Sequence, residues 1–246
     1  MAEKKQLKND PITEALIDIR VKLPANFDVT AFDDLDTKEL KEYSVKERQT
    51  EFSADLKVVE DQPLFKARSK GVRGFLYKSE DNKNIVQFRV DGFTFNRLRP
   101  YTTWEEMVGA AKELWQVYTK YSAPIQVTRI ATRFINHIKL PLPIEDFATY
   151  MNAPPQNPSK QDVVAGYLTR IKLMDKKNDI GTNIIQTFEK GTENRVITLL
   201  LDIDTYSNKN YKADDPGIWD QFDKLRIKKN DIFFDSLTDK AINLHL

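Results

Sequence analysis

Pro11-Ile-Thr-Glu-Ala-Leu-Ile-Asp-Ile-Arg-Val21 and Pro124-Ile-Gln-Val-Thr-Arg-Ile-Ala-Thr-Arg-Phe134 open two stretches of similar build. Each begins at a Pro-Ile and runs on into a Lys-Leu-Pro, at Lys22–Pro24 and Lys139–Pro141. In the first, Ile12, Ala15, Leu16, Ile17, Ile19 and Val21 are apolar, and Asp18 and Arg20 interrupt them at spacing two, which predicts a strand. Further on, Val86–Phe95 matches Ile197–Tyr206, and each leads to a tryptophan near a helix start, Trp104 and Trp219. The counterparts lie 111–115 residues apart. A near-constant offset predicts a tandem duplication, and a repeat decides the architecture before any local reading does.

The rest of the chain is read around that frame. Residues 30–43 carry Phe32, Leu35 and Leu40 among charges and predict a helix opened by Thr30 or Asp33. Strands are expected at 45–56, 64–68, 72–78 and 85–95, with Asp91-Gly92 as a bulge or bend. Thr102-Thr103 caps a helix with Glu105 and Glu106 in its first turn, where carboxylates suit the helix dipole. Trp104, Met107, Val108, Ala111, Leu114, Trp115 and Tyr118 recur at helical spacing over four turns. In the second half, strands are expected at 125–140, 163–174, 180–188 and 196–203. A short helix is expected at 143–151, a turn at Gly191–Asn194, and a helix after Pro216 with Ile218, Trp219, Phe222, Leu225 and Ile232 inward. The expected fold is therefore α+β: two tandem β-α-β(3-4)-α pseudo-repeats with antiparallel sheet backed by long helices. By analogy of element order this is a TATA-binding-protein-like topology, and a fold analogy says nothing about function. Residues 1–9 are expected to be a disordered tail, 10–123 the first pseudo-repeat, and 124–246 the second, packed with the first as one body.

Composition removes several chemistries. The 246 residues contain 38 Lys+Arg against 37 Asp+Glu, a net charge of +1, so no global field draws nucleic acid or an anionic membrane. With no cysteine there are no disulfides, thiolate zinc sites or Cys nucleophiles. The chain has two histidines and eight glycines, and none of the phosphate-binding glycine loops or Gly-x-Ser-x-Gly elbows. These absences weigh against an enzyme, and no cofactor is expected. The polar start lacks the apolar core of a secretory signal and no stretch approaches 18 apolar residues. A cytoplasmic location with no membrane contact is the expectation.

Three constellations could carry chemistry. Arg129 and Arg133 share strand parity with His137 and Lys139, opposite to Ile130, Thr132, Phe134 and Ile138, and Asn136 follows in the same segment. A row of guanidinium groups suits an anion or acidic partner; equally, the arginines could be paired with acids on neighbouring strands. Arg97, Arg99 and Tyr101 precede the helix at Trp104. With Arg68, Lys70, Arg73 and Arg89 they could converge near its N-terminus and present Phe95 or Tyr101 to a single-stranded nucleic acid. Asp202 and Asp204 could hold a divalent metal, or serve turn and strand-end geometry. The aromatics Trp104, Trp115, Trp219, Phe222, Phe233 and Phe234 read as core, with one of Phe233 and Phe234 left for a dimer or partner surface.

Asp10–Arg20, Leu98-Arg-Pro-Tyr-Thr-Thr-Trp104 and Arg129-Ile-Ala-Thr-Arg-Phe-Ile-Asn136 together resemble an uncharacterised family of sporadically distributed bacterial proteins of about this chain's length. The resemblance spans nearly the whole chain and implies accessory, defence or toxin–antitoxin-type interaction roles. It carries over no catalytic residue. The functional expectation is a non-enzymatic binding protein with a protein partner or a second copy of itself, using a sheet face or the groove between repeats. The alternative is a nucleic-acid-binding component using the arginine face, and the third is a carboxylate-metal enzyme.

Overall fold

The computed structural model describes residues 9–59, 62–159, 162–189 and 196–245. Nine strands form one antiparallel sheet: β1 (Ile12–Lys22), β2 (Val45–Val59), β3 (Gln62–Lys78), β4 (Asn84–Arg89), β5 (Gly92–Leu98), β6 (Gln126–Pro141), β7 (Gly166–Asp175), β8 (Ile180–Glu189) and β9 (Val196–Ser207). Their order across the sheet is β2-β3-β4-β5-β1-β6-β9-β8-β7. The helices are α1 (Leu35–Lys38), α2 (Trp104–Ser122), α3 (Gly217–Ser236) and α4 (Asp239–Asn243).

β1 and β6 are the central pair, with Ile17 opposite Thr132 and Ile19 opposite Ile130. Alternation sorts β1 cleanly. Ala15, Ile17 and Ile19 are fully buried beneath the helices, and Glu14, Leu16, Asp18 and Arg20 point to the other face. Burying each isoleucine contributes about 1.5–3 kcal/mol relative to leaving it in water. α2 and α3 cover this one face. A first core cluster gathers Phe93, Phe95, Trp104, Trp115, Tyr118, Phe134 and Phe222, and a second gathers Ile138, Leu201, Ile203, Ile232 and Phe233. Among the described residues the other face carries no helix. Two glycines mark close backbone approach: a Cβ on Gly74 would lie 2.2 Å from the Phe88 carbonyl oxygen, and one on Gly92 (φ +153°) 2.3 Å from that of Ile19.

α2 forms as its sequence dictates. The Thr103 hydroxyl accepts from the Glu106 N–H (3.2 Å), and Ala123 ends the helix in the left-handed region at φ +43°. Asp215 accepts from the Gly217 N–H (2.8 Å) where α3 begins.

The fold corrects the expected architecture. Strand residues (44%) outnumber helical ones (25%), so the protein is mostly β, a single sheet and not an α+β body of two β-α-β repeats with long helices. Two expected helices are absent. In 30–43 only a 3-10 turn (Val29–Phe32) and the four-residue α1 form. Phe32, Leu35 and Leu40 bury, but their three- and five-residue spacing cannot hold one helical face, and the interspersed aspartates favour local turns. In 143–151 prolines on both sides leave room for one 3-10 turn, Phe147–Thr149, with Asp146 accepting from the Ala148 N–H (2.8 Å). The expected strand over 85–95 is a hairpin: Val90-Asp91 is the turn between β4 and β5, which adds a strand. The stretches 64–68 and 72–78 are one strand, β3, with irregular register against β2 near Gly71 (φ +96°). Residues 1–8 of the expected tail and the expected turn at 191–194 lie outside the described residues. Phe233 is buried in the second core cluster, and Phe234 packs against it while remaining partly exposed.

Candidate interaction surface

The candidate arginines sit on the face without helices, and their charges are already used. Arg133 makes two parallel hydrogen bonds to Asp202 on the neighbouring β9, and this pairing raises the guanidinium's pKa further. Arg129 bridges Asp18 (3.3 Å) on β1 and Asp204 (3.4 Å) on β9, and its guanidinium lies 4.9 Å from the Tyr206 ring centroid. Asp204 also accepts from Asn183 (3.0 Å). The network continues across β1: Asp18 meets Arg20 (3.0 Å) and Arg89 (3.1 Å), and Asp91 meets Arg20, Arg73 (2.5 Å) and Arg89 (3.2 Å). Burial works against ionisation of Asp91, but the Arg73 hydrogen bond and the Arg20 and Arg89 charges outweigh it and hold its carboxyl below the usual range. Five guanidinium groups thus share four carboxylates. What the parity of β6 reads as an anion-binding row is a cross-strand ion-pair lattice.

The seven candidate residues do not form one site. His137 lies on the face of Arg129 and Arg133, half-buried, with Leu200 opposite. Asn136 is buried (2% exposed) and donates to the Leu201 carbonyl (2.9 Å), a structural tie. Arg97 stands opposite Ala15 and therefore on the helix side of the sheet. Tyr101 packs edge-on against Phe134 (5.6 Å between centroids), and burial raises its phenol pKa. Among the described residues the Arg99 side chain reaches only the Asp10 carbonyl, at 3.5 Å. Arg73 and Arg89 are drawn to Asp91 on the open face, not to the start of α2, and Phe95 is fully buried, so no stacking platform forms there. Asp202 and Asp204 each face an arginine, and among the described residues no three acid or imidazole side chains converge as metal ligands.

Two features escape the reading of the sequence. Lys229 on α3 points into the seam between the two core clusters, its ammonium 3.9 Å from the Phe134 ring centroid. Burial, with the Arg226 charge nearby, lowers its pKa to about 7, against the pull of Asp10. The helical period of α3 places it inward, and its position four residues after Leu225 and three before Ile232 is the signal that could have found it. The second feature is β7. Among the described residues it pairs with β8 alone and forms a free edge. Leu168 (72% exposed), Met174 (50%), Leu173 (42%) and Ile171 (41%) are turned to solvent along it. Among the described residues neither Arg170 nor Lys172 makes an ion pair. At the opposite edge, by contrast, Lys46 and Arg48 of β2 meet Asp33, and Glu47 meets Lys78. The signal in the sequence is that apolar residues of β7 fall on both faces at a strand that nothing further covers.

No helix among the described residues is long and apolar enough to cross a membrane. Comparison with protein-family models and with curated proteins returned no match.

Proposed function

We propose that this chain is a non-enzymatic binding protein that engages a protein partner along β7. The observation that carries the reading is the free edge itself. It joins unpaired backbone hydrogen-bonding groups with four exposed large apolar side chains, the combination that strand addition by another chain covers. A second copy of this chain fits the edge poorly. Antiparallel self-pairing centred on Arg170, Ile171 or Lys172 sets like charges directly opposite one another, which is unfavourable. These clashes favour a different protein as the partner over a second copy. Nucleic acid is disfavoured because the sheet-face guanidinium groups that would meet phosphates are held by Asp18, Asp91, Asp202 and Asp204.

The test is stoichiometric co-purification from the native cell with tagged wild-type chain and with the double variant Leu168→Lys, Met174→Lys. Both positions are at least half exposed, so the variant should melt with the wild type. Loss of the bound polypeptide from the variant alone supports the reading. A polypeptide retained in equal amount by the variant contradicts the β7 assignment.

A further inference from the structure

A groove of roughly 400 Å³ lies between α2 and the turn that opens α3, and no residue of β7 lines it. Its floor is Trp115, 4% exposed and stacked on Tyr118 at 5.3 Å. The Trp115 indole N–H donates to the Ala213 carbonyl (3.1 Å) and so fixes the turn against α2. One wall is Trp219, whose ring is braced by stacking on Phe222 at 5.5 Å. The rim carries Asp214 and Asp215. Asp215 spends one oxygen on the Gly217 N–H, and among the described residues neither aspartate is in an ion pair. Lys112 closes the other side with its ammonium 5.4 Å from the Trp219 ring centroid and, among the described residues, no carboxylate in an ion pair with it.

Rigid indoles beside unpaired carboxylates select for a flat, delocalised cation. A guanidinium can stack on an indole while donating two parallel hydrogen bonds to a carboxylate, and it is more weakly hydrated than an ammonium. An anion would meet two carboxylates, and a neutral ring would leave both unused. Lys112 shows in place that the Trp219 face attracts a cation. We infer that this groove binds an arginine side chain of a partner polypeptide, its guanidinium between Trp219 and Asp214/Asp215, displacing the Lys112 ammonium. This stands independently of the β7 reading.

The experiment titrates N-acetyl-arginine amide into the full ¹⁵N-labelled chain and follows the three tryptophan indole signals. N-acetyl-citrulline amide, the neutral isostere, is the control ligand. Trp104, whose indole N–H is bonded to Asp223 (2.7 Å) outside the groove, is the internal control. Trp115 and Trp219 should shift together with a dissociation constant on the order of 1–10 mM, while Trp104 stays and citrulline does nothing. Asp214→Asn with Asp215→Asn keeps an acceptor for the Gly217 N–H and should weaken binding about 10-fold. Lys112→Met removes the competing cation and should tighten it about 3-fold. No shift up to about 50 mM arginine, an equal shift with citrulline, or weaker binding by Lys112→Met would each overturn the inference.

Discussion

Asp18→Asn removes one charge from the middle of the ion-pair lattice while keeping the side chain's shape. The Asp18 side chain is 8% exposed and is held by Arg20, Arg89, Arg129 and the Thr94 hydroxyl (2.7 Å). Arg89 is 7% exposed and loses the carboxylate nearest its buried end. Breaking a buried ion pair by removing one partner costs about 3–5 kcal/mol. Arg89 retains Asp91 at 3.2 Å, which puts the expected loss near the lower bound, about 3 kcal/mol. For a chain of this size that lowers the melting temperature by about 6–12 °C. Asp91→Asn is the matched control. Its carboxylate is 38% exposed and its partners Arg20 and Arg73 reach water, so solvent screening should limit the cost to about 1 kcal/mol. Thermal melts followed by circular dichroism at neutral pH measure both. The double variant Asp18→Asn, Arg89→Met should recover part of the loss, because it removes the charge left stranded. If Asp18→Asn melts within about 2 °C of wild type, or if Asp91→Asn costs as much, the lattice is not organised around a buried Asp18–Arg89 pair.

Three further outcomes are expected. Lys229 has a folded pKa of about 7, below its unfolded value, so between these the unfolded chain binds the extra proton and stability rises with pH. The gain should be about 2–3 kcal/mol from pH 7 to 9, and Lys229→Met should raise the melting temperature at pH 7 and abolish this slope. For Asp91 the slope has the same sign but lies in the acid range: its folded pKa is depressed, so its contribution is complete above the unfolded value and is lost as pH falls through the folded one, and Asp91→Asn should flatten the acid limb of stability. Gly181→Ala would put a Cβ 2.2 Å from the Tyr206 ring that Arg129 covers and should cost about 1–3 kcal/mol, whereas Gly109→Ala, with nothing within 4 Å of its Cβ in α2, should stabilise by about 0.5–1 kcal/mol in the same melts.

What was legible in the sequence follows from periodicity. β1 and β6 declare themselves by alternation after Pro-Ile, and α2 by its cap and four turns of inward aromatics. Residues 30–43 mislead because three buried apolar side chains suffice to pin a loop, and the same three look like a helix face. The strand at 85–95 hides a two-residue turn because Val86, Phe88 and Phe93 keep the apolar character that a single strand would have. The parity of Arg129 and Arg133 can be read from β6 alone. Their partners cannot, since Asp18, Asp202 and Asp204 become neighbours only through cross-strand register, which one strand does not encode. For the same reason a row that looks available to an outside anion is occupied from within. The free edge was equally hidden. Residues 163–174 read as one more strand, and only the order of the sheet makes β7 its last.

The most direct test of the β7 assignment is amide hydrogen exchange of the chain alone and in its complex. If a partner adds to the sheet, amides of residues 166–175 should slow on complex formation by an order of magnitude or more while those of the opposite edge strand, β2, are unchanged. Unaltered exchange along β7 in a stoichiometric complex would contradict the account.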